Sequence, residues 1–411
     1  MSERAVITGV GVCSPLGDSL PSFLRAILGS QCAAGPVRCF DASTFGAPFA
    51  AEMDIPALWV QEAAEKTGID ALALQWDRKL LFGLQALRGA LRAAFSDEAR
   101  PRLGMSLGMG LEVLFLPDVV ALYDPQKRDI DASRLPLAGR KNPLRLPLHI
   151  IAKELAKEAG ALACETFVSA CAAGTQSLGE AAQRVIFGHE SCVIAGATDS
   201  MINPMGVGCF RLLGALSSRA SIDACRPFHA QRDGTIIGEG AAFFVVESLT
   251  SAKARGAKII AEILGFGSSL DAYRVTSPSP DGAGARLSMR AALRQAKRPK
   301  IGYVNAHGTG TLQNDPVELA AIHAELGRVP LSATKSQLGH AMAAAGALEI
   351  AASLACFIEG QCPPTLHLSQ VDPACQADHI DTPRAFTGYA LLKNSFGFGG
   401  QNASLILGYP P

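Results

Sequence analysis

Short apolar runs of strand length alternate with longer stretches of helical periodicity along most of this chain. The strand-like runs cover residues 5–7, 166–170, 191–197, 241–247, 259–264, 301–306 and 331–334. Helical patterns cover residues 78–95, 149–158, 175–186, 285–296, 316–326 and 337–357. Such alternation predicts an α/β protein in which helices cover the sheets on both faces.

The length of the chain favours two core-forming halves. A chain of 411 residues exceeds what one hydrophobic core commonly holds, and 48% of its residues are apolar. The polar run SLTSAKARGAK separates two strand-like runs and marks a plausible boundary. We therefore predict one half over residues 1–250 and a second over residues 251–411.

Charge and cysteine usage narrow the functional classes. Lys+Arg and Asp+Glu are equal at 37 each, which argues against binding to nucleic acid or to an anionic membrane. We do not expect the first residues, MSERAVITG, to act as a secretory signal, and the 11 cysteines show no CxxC motif. We expect reduced thiols and a cytoplasmic location. The apolar run 341–358 carries Glu349 at its middle, so we expect a buried helix and no membrane span.

Cys171 stands out among those cysteines because it lies in VSACAAGTQSLGEAAQRV, where a strand-like run becomes a helical pattern. A thiol at a helix N-terminus meets backbone N–H groups and the helix dipole, which favour the thiolate and predict a lowered pKa. The small residues that follow, Ala172, Ala173 and Gly174, would leave the sulfur accessible to a carbonyl group. This arrangement is typical of a nucleophile.

The second half of the chain supplies polar partners for this thiol. His307 follows a strand-like run in IGYVNAHGTGTLQNDPVE, at the carboxyl end of a strand, where α/β proteins build their sites. In LSATKSQLGHAMAAAGALE, Lys335 ends a strand-like run and His340 precedes the apolar helix. A buried lysine needs a partner, and Glu349 is near enough in sequence for an ion pair.

The segment NSFGFGGQNAS, residues 394–404, is a glycine-rich loop with two phenylalanines. Its glycines permit backbone conformations closed to other residues, and its N–H groups are suited to an oxyanion.

Each of these features also has a purely structural reading when taken alone. Free cysteines are usually small buried hydrophobes, and a lone histidine in an apolar setting is usually a satisfied core residue. The HGTGT run lacks the lysine and spacing of a P-loop. A zinc site made of Cys171, His307 and His340 would lack paired local ligands. The joint occurrence of these motifs at strand ends favours a catalytic site.

In their order along the chain, these motifs resemble those of the β-ketoacyl-acyl-carrier-protein synthases, the condensing enzymes of the thiolase superfamily. The resemblance extends from ITGVGVCSPLG to NSFGFGGQNASLILG and includes RPFHAQRDGTIIGEGAAFFVVE, NAHGTGT and ATKSQLGHAMAAAGALE. It implies a five-layer αβαβα sandwich of two duplicated thiolase-like halves, and a dimer. It also implies decarboxylative Claisen condensation of an acyl group on Cys171 with malonyl-acyl carrier protein.

The resemblance implies a role for each matched position. Cys171, His307, His340, Lys335 and Glu349 would form the catalytic set, with Lys335 orienting and tuning His340. The N–H groups of Cys171 and Phe398 would form the oxyanion hole, and Phe398 would be the gate, in a loop with Phe396 and Gly399. The phosphopantetheine arm would contact Thr309, Thr311, Thr276 and Ser277, and Leu111 would line the acyl pocket. Acidic positions Asp271, Asp315 and Glu318 are expected to be structural. No metal or cofactor is called for.

The sequence departs from the family pattern at several positions. His229 replaces an acid in RPFH, Gln401 stands in GGQN, and Gly214 replaces an arginine that touches the carrier protein. A basic pair expected before Asp77 is displaced to Arg78 and Lys79. Because carrier-protein helices are acidic, these losses favour a specialised carrier protein or partner subunit.

Three alternatives stay open at this point. A non-catalytic partner subunit resembling the chain-length factors would share the fold but should lack the nucleophile. A decarboxylating initiation subunit usually carries glutamine in place of the cysteine, and Gln176 is not at that place. A cysteine hydrolase would need neither two histidines nor a gating loop. The sequence leaves open the acyl chain length, and whether the dimer is a homodimer or a heterodimer with a related synthase subunit.

Overall fold

The computed structural model describes residues 3–95, 101–131 and 144–411. Its strands are β1 (Ala5–Cys13), β2 (Gly35–Pro36), β3 (Phe49–Ala51), β4 (Leu103–Met109), β5 (Tyr123–Asp124), β6 (Asp129–Ile130), β7 (Ala161–Phe167), β8 (Cys192–Ser200), β9 (Ile237–Ser248), β10 (Ala261–Leu270), β11 (Ile301–Asn305), β12 (Pro330–Ser332), β13 (Gln361–Cys362), β14 (Asp378–His379), β15 (Arg384–Ala385), β16 (Ala390–Gly397) and β17 (Gln401–Gly408).

The helices are α1 (Leu20–Leu28), α2 (Ala57–Thr67), α3 (Ala71–Trp76), α4 (Lys79–Ala94), α5 (Leu116–Leu122), α6 (Leu148–Ala159), α7 (Ala173–Ile186), α8 (Pro204–Leu212), α9 (Leu249–Ala254), α10 (Ala283–Gln295), α11 (Asn314–Leu326), α12 (Lys335–Leu338), α13 (Ala345–Ser353) and α14 (Ala355–Ile358). Short 3₁₀ turns lie at Ser43–Phe45, Ala170–Ala172, Met342–Ala344, Pro373–Cys375 and Phe398–Gly400.

The strand order reveals an internal duplication. One set runs β1-β9-β8-β4-β7, and the other runs β10-β17-β16-β11-β12, so each has the order 1-5-4-2-3 by position in its own half. In both sets the first two pairings are antiparallel and the last two are parallel. The sets join where β1 pairs with β10, Ala5 lying opposite Ile263. The chain therefore carries two halves of one topology, while their division at residue 250 stays a prediction.

Helices and sheets alternate in five layers, which confirms the predicted αβαβα sandwich. Helices α4 and α6 cover one sheet, and α10 and α11 cover the other. Helices α7 and α13 pack against each other between the two sheets. The central apolar core is built from these two helices and from the inner faces of both sheets. Burial of this apolar surface is the main force that holds the two halves together.

The central layer accepts only small residues where its elements cross. A Cβ on Gly174 of α7 would lie 2.8 Å from the backbone N of Ala347 in α13. A Cβ on Gly346 would lie 2.4 Å from the Thr175 hydroxyl oxygen. The small residues after Cys171 therefore serve helix packing, in addition to any role in access to the sulfur.

The structure differs from the sequence predictions at four elements. The strand predicted over residues 166–170 lies at Ala161–Phe167 as β7, and residues 168–170 are outside it. Strand β4 was not predicted, because the run LGMSLGM has too few β-branched residues to mark a strand. The segment 394–404 is mostly the hairpin β16–β17, and only Phe398–Gly400 forms its turn. The predicted helix 337–357 is broken near Met342, whose φ is +47°. The broken segment is buried, and no helix in the described ranges is long and apolar enough to cross a membrane.

Candidate active site

Cys171 lies in the 3₁₀ turn Ala170–Ala172, between the end of β7 and the start of α7. Ala170 takes a left-handed backbone conformation with φ +48°, which turns the chain sharply out of the strand. The residue is 8% exposed, and its side chain lines a cavity of about 290 Å³. The turn thus holds a buried thiol against an open space.

The prediction that the helix N-terminus lowers the pKa of Cys171 is wrong. Burial raises the pKa of this thiol to about 12, against smaller lowering effects of the Lys335 charge and of a hydrogen bond from the Phe398 N–H. The carboxylate of Asp199 acts in the same direction as burial. The cost of desolvating a thiolate therefore outweighs the helix terminus, and Cys171 is a neutral thiol at physiological pH.

The hairpin turn between β16 and β17 lies directly against Cys171. The N–H of Phe398 points at the Cys171 sulfur. A Cβ on Gly397 would lie 2.9 Å from the carbonyl oxygen of Ser169 and 3.0 Å from the backbone N of Cys171, so only glycine fits there. The turn is anchored on its other side by the Gly399 N–H, which donates to the carbonyl of Val275 at 2.6 Å. This packing places a backbone donor beside the thiol.

His307 follows β11, and its main chain is fixed by a buried carboxylate. Glu318 of α11 accepts hydrogen bonds from the N–H groups of His307 and Gly308, at 2.7 and 2.8 Å. The ring Nδ1 lies 3.3 Å from Nζ of Lys335. Because an ammonium group is only a donor, Nδ1 accepts, and the proton of the neutral ring resides on Nε2.

His340 lies in the break between α12 and the turn Met342–Ala344. Its Nδ1 accepts a hydrogen bond from the N–H of Met342 at 3.2 Å, so its Nε2 also carries the proton. The ring centroids of His307 and His340 are 5.4 Å apart, at an interplanar angle of 81°. Both side chains line the same cavity as Cys171. The two imidazoles thus offer two Nε2–H donors to one region.

Both imidazoles are neutral near pH 7. Burial, followed by the positive charge of Lys335, holds the pKa values of His307 and His340 well below 6.5. Lys393 lowers both pKa values further. Neutral rings with fixed tautomers are suited to donate a hydrogen bond to a developing oxyanion.

The predicted ion pair between Lys335 and Glu349 is confirmed, with Nζ 2.6 Å from Oε1. Lys335 was predicted to orient His340. That prediction is wrong, because Lys335 makes its hydrogen bonds to His307. Nζ donates to the carbonyl oxygen of His307 at 2.6 Å and lies 3.3 Å from the ring Nδ1. Lys335 acts on His340 only through its charge.

Lys393 of β16 is a site residue that the sequence analysis missed. It is fully buried, and its Nζ lies 2.8 Å from Oε2 of Glu349. The signal in the sequence was a lysine within the strand-like run ALLKNSF, where burial demands a charged partner. Glu349 therefore lies between two ammonium groups.

The predicted phosphopantetheine contacts all lie in the cavity that contains Cys171, whose lining includes Thr309, Thr311, Thr276 and Ser277. The hydroxyl oxygens of Thr309 and Thr311 are 2.9 Å apart. Leu111 is not among the lining residues and is 59% exposed on the single chain. Its assignment to the acyl pocket stays a prediction.

Two phenylalanines flank the opening to Cys171. The ring of Phe398 stacks on Phe210 with centroids 6.3 Å apart, and Phe396 meets His307 edge-on at 5.8 Å. Both phenylalanines are half-buried, and Gly399, which follows Phe398 in the turn, is exposed.

The acidic positions expected to be structural bind main-chain groups. Asp315 accepts hydrogen bonds from the N–H groups of Phe228 and Gly310, at 2.8 and 3.2 Å. Asp271 accepts from the N–H of Ser279 at 3.0 Å and from the side-chain amide of Asn402 at 2.7 Å. With Glu318, these carboxylates fix loops around the cavity.

At three of the departures from the family pattern, positions 214, 78 and 79, the chain offers no exposed basic group. Gly214 has φ +69° and open space around its Cα. Arg78 is buried against Glu239 at 3.0 Å, and Lys79 is buried against Asp77 at 3.0 Å. Both displaced cations are therefore unavailable at the surface.

Two other departures occupy structural places. His229, which replaces an acid, accepts a hydrogen bond at Nδ1 from the N–H of Gln231 at 2.9 Å. Gln401 begins β17 and pairs with Gly397 and Leu270. Among the residues that the structure describes, no group of three His, Cys, Asp or Glu side chains is arranged to hold a metal ion.

Comparison with known proteins identifies relatives over the whole chain. The sequence profile of the beta-ketoacyl synthase N-terminal domain matches residues 2–252, and that of the C-terminal domain matches residues 260–369. The 3-oxoacyl-[acyl-carrier-protein] synthase 2 of Coxiella burnetii is 35% identical, with 98% of each chain covered.

Two solved structures share the fold over their full length. One is a type II PKS acyl-carrier protein in complex with its ketosynthase bound to the hexaketide, with a TM-score of 0.86, 26% identity and 100% of both chains covered. The other is the ishigamide ketosynthase/chain length factor, with a TM-score of 0.84, 30% identity and the same coverage.

Proposed function

Because this chain belongs to the β-ketoacyl synthase family, we propose that its cavity performs decarboxylative Claisen condensation on substrates held by an acyl carrier protein. The chain is an acyltransferase of fatty-acid or polyketide biosynthesis. The observation that carries the assignment of roles is that Cys171, the Phe398 N–H and two Nε2–H donors meet at one cavity.

In the first step the Cys171 sulfur attacks the thioester carbonyl of an acyl carrier protein. The thiol loses its proton, the carrier's sulfur leaves as a thiol, and the acyl group stays on Cys171. The N–H groups of Cys171 and Phe398 stabilise the oxyanion of the tetrahedral intermediate. One such donor contributes a factor of about 10²–10³ to the rate.

In the second step malonyl-carrier protein loses CO₂, and the electron pair of the broken C–C bond forms an enolate. The Nε2–H groups of His307 and His340 donate to the thioester oxygen of that enolate. The carbanion then attacks the acyl-Cys171 carbonyl, which releases the Cys171 thiolate to be protonated. The product is a β-ketoacyl-carrier protein two carbons longer.

Lys335 and Glu349 act through the histidines. Lys335 fixes the tautomer of His307, and Glu349 holds Lys335. Thr309, Thr311, Thr276 and Ser277 would contact the phosphopantetheine arm of the carrier protein along the cavity wall. Phe398 would move to admit malonyl-carrier protein after acylation, with Phe396 and Gly399 as its neighbours in the turn.

The rim that faces a carrier protein carries apolar side chains, and Arg274 beside Val275 is an exposed cation there. Gly214, Leu213 and Val275 line the cavity, and the latter two are 50% and 74% exposed. An apolar rim of this kind suits a specialised carrier protein. The synthase in complex with its carrier protein, described above, provides the precedent for such docking.

We further propose that the chain works as a dimer, with itself or with a related synthase subunit. Strand β7 is at the edge of the sheet, and Leu162 within it and Val168 directly after it are 68% and 57% exposed. An exposed apolar edge strand favours pairing with another chain. A partner chain at this edge would also change the surroundings of Leu111. We keep the role of Leu111 in the acyl pocket as a proposal.

The alternative of a non-catalytic partner subunit is not favoured, because the nucleophile and both histidines are in place. All 11 cysteines are free thiols, in keeping with a reducing cytoplasmic location. The substrates would arrive on the carrier's phosphopantetheine arm, and the proposed steps use only side chains and backbone of this chain.

Separating the half-reactions tests these assignments. C171A is expected to abolish the acyl adduct seen by intact-mass spectrometry. H340A is expected to keep the adduct and to lose release of CO₂ from malonyl-carrier protein by about 10²-fold or more. Loss of both half-reactions in H340A, with the protein folded, would contradict the division of roles.

A further inference from the structure

Lys393 is buried in the sheet beside the active site, and the proposed mechanism does not use it. The residue is 0% exposed and lies opposite Asn305, the last residue of β11, two residues before His307. An ammonium group in such a position is costly unless it has a carboxylate and further acceptors.

The contacts of Lys393 join it to the catalytic groups. Its Nζ lies 2.8 Å from Oε2 of Glu349 and donates to the carbonyl oxygens of Asn394 and, at 3.4 Å, Ala306. The other oxygen of Glu349 lies 2.6 Å from Nζ of Lys335. One carboxylate therefore bridges two lysines, and neither of its oxygens is left without a cation.

This bridge sets the direction of Lys335. The three donors of its ammonium group are directed at Glu349, at the carbonyl of His307 and at Nδ1 of His307. Rotation of the Glu349 carboxylate would draw Lys335 away from the ring. Lys393 opposes that rotation through the charge attraction of its ion pair with the second carboxylate oxygen.

We propose that Lys393 is a positioning residue for condensation. It holds Glu349 in place so that Lys335 keeps its hydrogen bonds to His307, and it adds a second positive charge beside both imidazoles. The proposal rests on the function proposed above and assigns one more residue to it.

The surrounding charges define how this residue should respond to pH. Lys393 faces Glu349 on α13, Lys335 on α12 and Glu318 on α11. Burial lowers the pKa of Lys393 to about 8, against the raising effect of Glu349. Lys393 is therefore charged below about pH 8, and its hold on Glu349 weakens above it.

The test compares K393M with a matched control, K79M. Lys79 is another fully buried lysine with a carboxylate partner, and its Nζ lies 3.0 Å from each carboxylate oxygen of Asp77. K393M is expected to lower kcat for condensation about tenfold at little change in KM. It is also expected to move the acid limb of the pH profile upward, because loss of the Lys393 charge lets both imidazoles bind a proton more readily. K79M is expected to lose stability without moving that limb.

The outcomes separate this proposal from the proposed function. Failure of the wild-type protein to condense would reject the function itself. Condensation by wild type together with an unchanged pH profile and kcat in folded K393M would overturn the role of Lys393. Should K393M not fold, K393Q provides a second variant.

Discussion

Replacing Gly397 with alanine tests the oxyanion donor without touching any catalytic side chain. Gly397 precedes Phe398 and has φ −117°, which alanine adopts without strain. The obstacle is space, because the added Cβ would lie 2.9 Å from the carbonyl oxygen of Ser169 and 3.0 Å from the backbone N of Cys171. Both neighbours are main-chain atoms and cannot rotate away.

The size of the effect follows from those distances. A carbon atom normally stays about 3.3–3.6 Å from a carbonyl oxygen, so the hairpin turn must move by about 0.4–0.7 Å. That displacement carries the Phe398 N–H off the sulfur and the oxyanion position. We expect the rate of acyl transfer to Cys171 to fall about 10- to 100-fold, because small misplacements and lost oxyanion donors have effects of this order.

The assay is the rate at which the acyl adduct forms on Cys171, followed by intact-mass spectrometry. The matched control is G35A, since a Cβ at Gly35 meets nothing within 4 Å. G35A should acylate at the wild-type rate. An unchanged acylation rate in folded G397A would refute the assignment of the Phe398 N–H as a donor in this step.

Three further predictions concern titration, charge pairing and docking. The acid limb of the condensation rate should lie below pH 6.5, because His307 and His340 stay neutral until the pH falls to their lowered pKa values; a limb centred above 6.5 in a rate–pH profile contradicts this. E349Q should lower the free energy of unfolding by about 3–5 kcal/mol because it strands two buried ammonium groups, whereas K335M should cost less because Glu349 keeps its other lysine. Equal losses in urea denaturation would contradict the shared pair. Carrier-protein binding should weaken only about two- to threefold between roughly 0.05 and 0.5 M salt, since Gly214 offers no charge and Arg274 is the exposed cation beside Val275. A steep salt dependence in fluorescence anisotropy would contradict this mainly apolar rim.

The fold class was predictable because the helices and most strands carry strong apolar patterns. Strand β4 escaped prediction since its glycines and methionines do not mark a strand, although its neighbours in the sheet bury it. The break at Met342 was hidden because the run around it is apolar throughout, and pattern alone does not reveal a kink in a fully buried helix.

The site residues that lie within the family motifs were predictable from the sequence. Cys171, His307 and His340 stand in runs whose order the family shares, and the chain brings them to one cavity. Which histidine Lys335 contacts was not predictable, because that choice depends on the placement of Lys335 relative to both rings in the folded chain. The direction of the Cys171 pKa was also missed, since burial comes from segments remote in sequence.

Lys393 is a residue whose role could not be predicted from the sequence. A lysine inside an apolar strand signals a buried ion pair, but the sequence does not say which carboxylate it meets. Only the tertiary structure shows that Glu349 already holds another lysine. Motifs thus identify residues that contact substrate more readily than residues that hold them in place.

The central claim is that Cys171 carries the acyl group that malonyl-carrier protein extends. Intact-mass spectrometry of the wild-type protein, first with acyl-carrier protein and then with malonyl-carrier protein, tests it most directly. The account predicts an adduct on Cys171 that disappears as CO₂ and a β-ketoacyl-carrier protein two carbons longer appear. An adduct that is hydrolysed without a longer product, or condensation that persists in C171A, would contradict it.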